Sequence, residues 1–301
     1  MGCGTSTSIA IGQNKTIDYE IEQILGSGAS CSVAVVKNKK DNKKYAMKIM
    51  NKYKKNGDYN NSIHKMYKNE IDILEELKHP NILSLIDNWE DHDNFKILTQ
   101  LCQGGDLFDH VSNIFQSQDT FSEKDASILM KSALQAIDFC HDNNIVHRDI
   151  KPENFVFLNK QQQEKNKNDN NLILIDFGCA KKVQEDELVD DICGSPYYVA
   201  PEILQNSIHR TGAIWKHSDI WSLGIILYLF VCGTPPFNGA SHQDIFKAVK
   251  KGTYNIPSNI KLSHNVQDLI SKLLEYHPKK RISAKDALLH PWITDQSEQL
   301  D

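Results

Sequence analysis

Eight consecutive residues, His147-Arg148-Asp149-Ile150-Lys151-Pro152-Glu153-Asn154, carry a carboxylate that could act as a base (Asp149), a cation (Lys151) and a carboxamide oxygen (Asn154). Pro152 stiffens the turn that holds them. A second carboxylate, Asp176, ends the apolar run Leu172-Ile173-Leu174-Ile175 and precedes Phe177-Gly178. Upstream, Gly26-Ser27-Gly28-Ala29-Ser30-Cys31-Ser32-Val33 lies between two strand-like runs, where backbone N–H groups can approach phosphate oxygens without Cβ interference. Ala46-Met47-Lys48-Ile49 sets a lysine in an apolar strand, and Glu70 in the following helix could hold its ammonium against phosphate oxygens. Each feature alone has a plainer reading. The Gly-Ser run reads as a hairpin turn, Lys48 as an outward solvated lysine, and Asp176-Phe177-Gly178 as an ordinary strand end. The Asp149 and Asp176 groups together, in this order and 27 positions apart, do not arise by chance.

The elements that must position these residues divide by type. Period-two alternation over 19–25, a Val-rich run over 31–37 and a third run over 44–50 predict antiparallel strands, with Lys40-Asp41-Asn42-Lys43 as a hairpin turn. Ile71, Leu74 and Leu77 predict a helix over 66–77 that stops before His79-Pro80. A strand over 95–101 is broken at Gly104-Gly105. Ser122, with Glu123 and Asp125 in the first turn, caps a long helix through Phe139. Further helices are predicted over 219–231, 244–250, 266–274 and 283–289. A small β-rich part therefore precedes a large α-rich part. The run 160–171 is almost all Gln, Asn, Lys, Asp and Glu, and reads as an enlarged solvent-exposed hairpin loop between strands over 155–158 and 172–175.

Composition narrows the class. Of the 301 residues, 40% are hydrophobic and 24% charged, which excludes wholesale disorder and fibrous repeats. A net charge of −5 argues against nucleic acid as a partner. The longest apolar run, from Ile220 to Gly233, is too short to cross a bilayer and reads as a buried core helix. The seven cysteines are odd in number and scattered, and no secretory signal precedes them, so a reducing, cytoplasmic compartment is expected.

From about Tyr19 to Trp292 the sequence resembles the eukaryotic protein kinases. Besides the motifs above, the resemblance rests on Ala200-Pro201-Glu202, on Asp219-Ile220-Trp221-Ser222-Leu223-Gly224 and on Arg281. Within that family His79-Pro80-Asn81-Ile82, the run from Gly194 to Glu202 and His290-Pro291-Trp292 are similar to the calcium/calmodulin-dependent and calcium-dependent group. The resemblance implies an α+β bilobal kinase fold over 17–293: a small N-terminal antiparallel β-sheet lobe with one main helix (about 17–100) and a large mainly α-helical lobe (about 104–293). Residues 1–16 are then a lead-in and 294–301 a short tail.

The resemblance also implies roles. Gly26, Ser27, Gly28, Val33 and Ala46 would cradle ATP; Lys48 would bind its α/β-phosphates and be oriented by Glu70. Gln100, Leu101 and Cys102 would meet adenine through backbone groups, behind Thr99 as gatekeeper. Asp176 and Asn154 would hold Mg²⁺, Asp149 would accept or orient the substrate hydroxyl proton, and Lys151 would steady the transferring phosphoryl group. Ile150-Lys151-Pro152-Glu153 and Ser195 match Ser/Thr-specific members, with proteins as substrates. Asp106 and Glu153 match positions that hold an arginine upstream of the acceptor, or are plain surface acidity. Glu202 would meet Arg281, and Asp219 would tie down the catalytic-loop backbone.

Several features depart from the family pattern. Cys31 stands where a third loop glycine is usual. The stretch from Cys179 to Cys193 holds no Ser, Thr or Tyr, so Asp191 is expected to bond Arg148 in place of an activating phosphate. No D-x-[DN]-x-[DN]-G calcium loop and no basic amphipathic helix after Trp292 occur in the sequence, so direct calcium control is not expected. Met1-Gly2-Cys3-Gly4-Thr5-Ser6 fits myristoylation at Gly2 with palmitoylation at Cys3, and hence peripheral membrane association; the alternative is a polar tail. Two competing classes are a pseudokinase scaffold and a small-molecule kinase. The presence of Lys48, Asp149, Asn154 and Asp176 argues against the first, and the complete segment through Ala200-Pro201-Glu202 against the second.

Overall fold

A computed structural model of the chain describes residues 15–28, 30–116, 121–159, 172–205 and 209–295. The proposed acylation sequence, the polar run 160–171 and the last six residues lie outside the described residues. The chain divides into two compact units. One comprises the described residues up to Tyr67 with Leu85–Leu101, the other Lys68–Ser84 with the described residues from Cys102 onward.

The first unit is built on a five-stranded antiparallel sheet: β1 (Tyr19–Ser27), β2 (Cys31–Asn38), β3 (Lys44–Asn51), β4 (Leu85–Glu90) and β5 (Asn94–Gln100), in the order β1-β2-β3-β5-β4. The turn between β2 and β3 closes through Asn42 at φ 59°, a left-handed conformation that asparagine tolerates. One sheet face packs Ala34, Val36, Met47 and Leu98 against Tyr19, Tyr45, Ile49 and Trp89, with Tyr19 stacked on Trp89 at 5.5 Å. β4 was not expected from the sequence. It is an edge strand carrying Asp87 and Asn88, and its Ile86 is exposed, so its apolar pattern is weak.

Helix α1 (Asn61–Glu76) begins in the first unit and ends in the second. It starts five residues before the predicted 66, because Asn60 accepts from Ile63 N at 3.4 Å and Ile63 and Tyr67 extend the buried stripe of Ile71 and Leu74.

The second unit is mainly helical: α2 (Leu107–Gln116), α3 (Glu123–Asp142), α4 (Gly212–Cys232), α5 (His242–Lys251), α6 (His264–Leu273), α7 (Ala284–Leu288) and α8 (Pro291–Thr294). Ser122 caps α3, accepting from Asp125 N at 3.1 Å. α4 is apolar on all sides and buried through its length, as a central core helix must be. It starts at Gly212, seven residues before the expected 219. Its first N–H groups are satisfied from a remote segment, Gly212 N by Glu187 O at 3.0 Å and Ala213 N by Glu185 O at 3.0 Å. Two short ladders complete the unit: β6 (Ile145–Val146) with β9 (Lys181–Lys182), and β7 (Phe155–Phe157) with β8 (Leu172–Leu174). The strand expected over 95–101 ends at Gln100, and Gly104 lies so close to β7 that a Cβ there would sit 2.4 Å from Phe157 Cβ. Among the described residues no helix is long and apolar enough to cross a membrane.

Candidate active site

In the first unit, β-sheet parity gathers the residues expected to handle a nucleotide. Val33 pairs with Lys48, and Lys48 with Ile97; Val35 pairs with Ala46, and Ala46 with Thr99. Paired residues share a face, so Val33, Ala46, Lys48 and Thr99 stand together on the face opposite Met47 and Leu98. A one-residue slip of β3 would send Lys48 into that apolar core. At the sheet's end Gly26 pairs with Val33 and Ser27 with Ser32, and Gly28 N donates to Cys31 O at 2.7 Å. A Cβ on Gly26 would meet nothing within 4 Å, so the turn's backbone borders open space that suits a bulky phosphate. Gln100 ends β5. Cys102 belongs to the second unit and is half-buried, as is Leu101 in the first.

In the second unit, the loop that opens with His147 and Arg148 is held by a buried carboxylate. Asp219, 1% exposed on α4, accepts from His147 N at 2.9 Å and Arg148 N at 2.8 Å, and its Oδ2 lies 3.0 Å from His141 Nε2. Arg148 has φ 67°, a left-handed conformation that a bulky residue adopts only when its surroundings enforce it. The two N–H bonds to Asp219 supply that enforcement. His147 is fully buried and packs edge-on against Phe177. Its Nε2 lies 3.2 Å from Ile175 O, and its Nδ1 accepts from Asp149 N at 3.4 Å. One nitrogen donating and one accepting describes a neutral imidazole, consistent with burial holding its pKa below the usual histidine value.

Asp149 sits at the centre of a closed set of contacts. Ser195 Oγ donates to its Oδ1 at 2.8 Å, Lys151 Nζ lies 3.0 Å from its Oδ2, and Lys151 Nζ donates to Ser195 Oγ at 3.1 Å. Burial works against the Lys151 ammonium, but the hydrogen bond and charge of Asp149 outweigh it and raise the pKa. Asn154 Nδ2 donates to Asp149 O at 2.7 Å, which fixes the amide and turns its carbonyl oxygen away from that contact. Asn154 O accepts from Ile175 N at 2.8 Å, so Asn154 and Asp176 are coupled through the backbone. Asp176, exposed, is left-handed at φ 57° and accepts from Gly178 N at 3.3 Å. The carboxylate of Asp176 and the amide oxygen of Asn154 are hard donors of the kind Mg²⁺ takes together with phosphate oxygens. Glu70 is 3% exposed on the part of α1 that belongs to this unit, and a buried carboxylate there demands a polar partner. The same helix part reaches the segment after Asp176: Asn69 Nδ2 donates to Ala180 O at 2.8 Å, and Lys182 pairs with Glu76 at 2.7 Å.

The segment leading to Ser195 is anchored on Arg148. Arg148 donates through Nε to Cys179 O at 2.7 Å and through a terminal nitrogen to Asp191 Oδ2 at 2.9 Å, and it lies over the Trp215 ring. Gly194, named in the sequence only as the head of a family-like run, has φ 104°, and a Cβ there would sit 2.4 Å from Arg148 O. Only glycine fits, and the Gly-Ser pair before Pro196 was the available signal. The expected structural pair also forms: Arg281 meets Glu202 at 2.6 and 3.1 Å with both side chains fully buried. Asp106 spends one oxygen on Asp109 N at 2.8 Å, capping α2, while Glu153 is exposed.

Residues 19–293 match the protein kinase domain family, to which the chain belongs. It is 37% identical over 279 residues to calcium-dependent protein kinase 5 of Plasmodium falciparum, covering 91% of this chain and 45% of that protein. The corresponding kinase of Plasmodium berghei is 36% identical, again with 45% of its length covered, so the chain spans less than half of these relatives. Myosin light chain kinase A of Dictyostelium discoideum is 35% identical over 277 residues, with 91% of this chain and 88% of the relative covered.

Proposed function

We propose that this member of the protein kinase family transfers the γ-phosphoryl group of ATP to Ser or Thr hydroxyls of protein substrates. The observation that carries the reading is the Asp149 carboxylate, fixed by Lys151, Ser195 and, through its Oδ2 at 3.3 Å, Asn154, on a loop that Asp219 holds in a left-handed turn. Phosphoryl transfer asks for positioning and charge neutralisation rather than covalent catalysis. Asp149 orients the acceptor hydroxyl and receives its proton; Lys151, kept charged by Asp149, neutralises the transferring oxygens. Asn154 and Asp176 would hold Mg²⁺, which would supply positive charge to neutralise the phosphate oxygens. In the first unit Val33, Ala46 and Thr99 offer an apolar sheet face to the base, and Lys48 offers a cation to the phosphates. The presence of every one of these groups favours catalysis over a scaffold role.

Exposed Glu153, together with the second oxygen of Asp106, favours acceptors with a basic residue upstream. Acylation at Gly2 and Cys3 would add peripheral membrane attachment. Equal solubility of wild type and Gly2→Ala in cells that acylate proteins would overturn that addition.

The activity is tested with radiolabelled ATP on an arrayed peptide library, with Asp176→Ala as blank. Lys48→Met and Asp176→Ala should each abolish transfer, and Asp176→Ala, at an exposed carboxylate, should leave the melting temperature without ATP nearly unchanged. Full activity in either variant would sink the assignment.

A further inference from the structure

Two cysteines bracket the segment that Arg148 anchors. Cys179 follows Gly178 directly, and Cys193 precedes Gly194. Both are free and half-buried, so a small solute can reach them. The Cys193 thiol lies 3.9 Å from Cys179 O, the same carbonyl that accepts from Arg148 Nε at 2.7 Å, so the two cysteines meet at one point beneath Arg148. A guanidinium beside two neighbouring cysteines is the setting in which one thiol becomes nucleophilic and the other resolves it.

We propose that Cys179 and Cys193 form a redox-active dithiol that a hydroperoxide closes to a disulfide across the base of this segment, and that closure lowers the kinase activity. The neighbouring Cys193 side chain lowers the Cys179 pKa below the usual thiol value, and Cys179 together with burial raises that of Cys193. Cys179 is thus the attacking sulfur. Its thiolate attacks one peroxide oxygen, the O–O bond breaks, and the leaving oxygen departs protonated as water or alcohol. The Cys179 sulfenic acid is then attacked by Cys193, the S–O bond breaks, and hydroxide leaves with the Cys193 proton as water. Two thiols are oxidised and one peroxide is reduced. Cys140 and Cys232 are less suited, since burial pushes both thiols up, that of Cys232 to about 11.

Closure reaches the active site through Gly194 and Ser195. Bonded sulfurs stand about 2.05 Å apart, well inside thiol contact, so closure pulls Cys193 toward Cys179 and strains the backbone that follows it. Gly194 has no room to absorb that shift: a Cβ there would already lie 2.4 Å from Arg148 O. The next residue, Ser195, bonds Asp149 at 2.8 Å and Lys151 at 3.1 Å. A displacement of about 1 Å at a positioning contact costs up to roughly a hundredfold in rate.

The test uses the full chain, titrated with hydrogen peroxide, alkylated and cut with trypsin, which cleaves after Lys181, Lys182 and Arg210. Mass spectrometry should find residues 168–181 joined to residues 183–210, lighter by two hydrogens than the two peptides together. The joined species should rise as activity falls by about tenfold or more, and dithiothreitol should reverse both. Cys193→Ser should keep its basal activity and resist the same dose. Absence of the joined peptides in wild type would overturn the dithiol, whatever the variant does. Joined peptides with unchanged activity, or equal inactivation of Cys193→Ser, would overturn the regulatory role.

Discussion

Arg281 and Arg148 each hold a carboxylate, at 2.6 Å and 2.9 Å, and the pairs differ far more in burial than in length. Arg281 and Glu202 are both 0% exposed, with Arg281 also donating to His217 O and Glu275 O and lying over Trp221. Arg148 is 6% exposed but its partner Asp191 is 63% exposed. In the first pair both ions have lost their water, and each guanidinium nitrogen has a protein acceptor, so removing either strands a bare charge in the core. In the second pair Asp191 can return to solvent. The first pair therefore serves the fold. The second serves the position of one segment and can be weakened without unfolding the unit.

The largest effect should come from the buried pair. Arg281→Met leaves Glu202 charged and unpaired, which is expected to cost about 3–5 kcal/mol. For a chain of this size that is a fall of roughly 10 °C in melting temperature. Calorimetry would check it, and the double variant Glu202→Leu/Arg281→Met should regain part of the loss. A fall under about 2 °C would erase the contrast drawn here.

Next comes the carboxylate that supports Arg148 from beneath. Asp219→Asn keeps the shape but replaces one accepting oxygen with an NH₂ group, which opposes a backbone N–H. The left-handed turn at Arg148 then loses a support, and kcat should fall by about a hundredfold, the scale of a misplaced catalytic group. Steady-state kinetics at saturating ATP would show it; unchanged kcat would mean the turn is held by other contacts.

Asp191→Asn should do less. The pair is half in water, so its worth is at most about 1 kcal/mol, or roughly a fivefold loss of kcat/KM. The melting temperature should barely move, and added salt should narrow the difference from wild type. Protein made in bacteria and treated with phosphatase should keep most of its activity, because the anion on Arg148 is a side chain. Silence of that preparation would point to phosphorylation outside the Cys179–Cys193 stretch.

These residues also mark where the sequence was legible. Lys48, Asp149, Asn154, Asp176, Asp219 and the Glu202–Arg281 pair could be named in advance because each sits in a short motif whose residue types have few other uses. Strand parity was likewise readable, since period-two alternation fixes which side chains share a face. The start of α4 was not, because its first N–H groups are satisfied by Glu185 O and Glu187 O, about 25 residues upstream. The role of Gly194 was not, because its need is backbone contact with Arg148, which composition does not record. The meeting of Cys179 with Cys193 was equally hidden, since it depends on how the intervening segment folds back on Arg148.

The smallest expected effect concerns acid stability around the buried pair. His217, whose carbonyl accepts from Arg281 at 2.7 Å, has its imidazole pKa lowered from 6.5 to about 4, first by burial and then by the charges of Arg281 and His141. Between pH 6.5 and 4 the unfolded chain therefore binds a proton that the folded chain refuses. Stability is full above 6.5 and is lost as pH falls toward about 4, below which this residue adds no further loss. Burial also lowers the pKa of His79, His110 and His147, so acid sensitivity alone would not isolate His217. The comparison with His217→Gln does, because the other three are common to both proteins. His217 is not fully enclosed, and solvent screening trims the effect to roughly one or two degrees of extra melting-temperature loss in wild type at pH 4.5 relative to pH 7. Parallel melting curves for the two proteins across that range would show that the imidazole takes up its proton freely. Arg281 would then exert no field there, and the neighbourhood of the Arg281–Glu202 pair would be wetter than its geometry indicates.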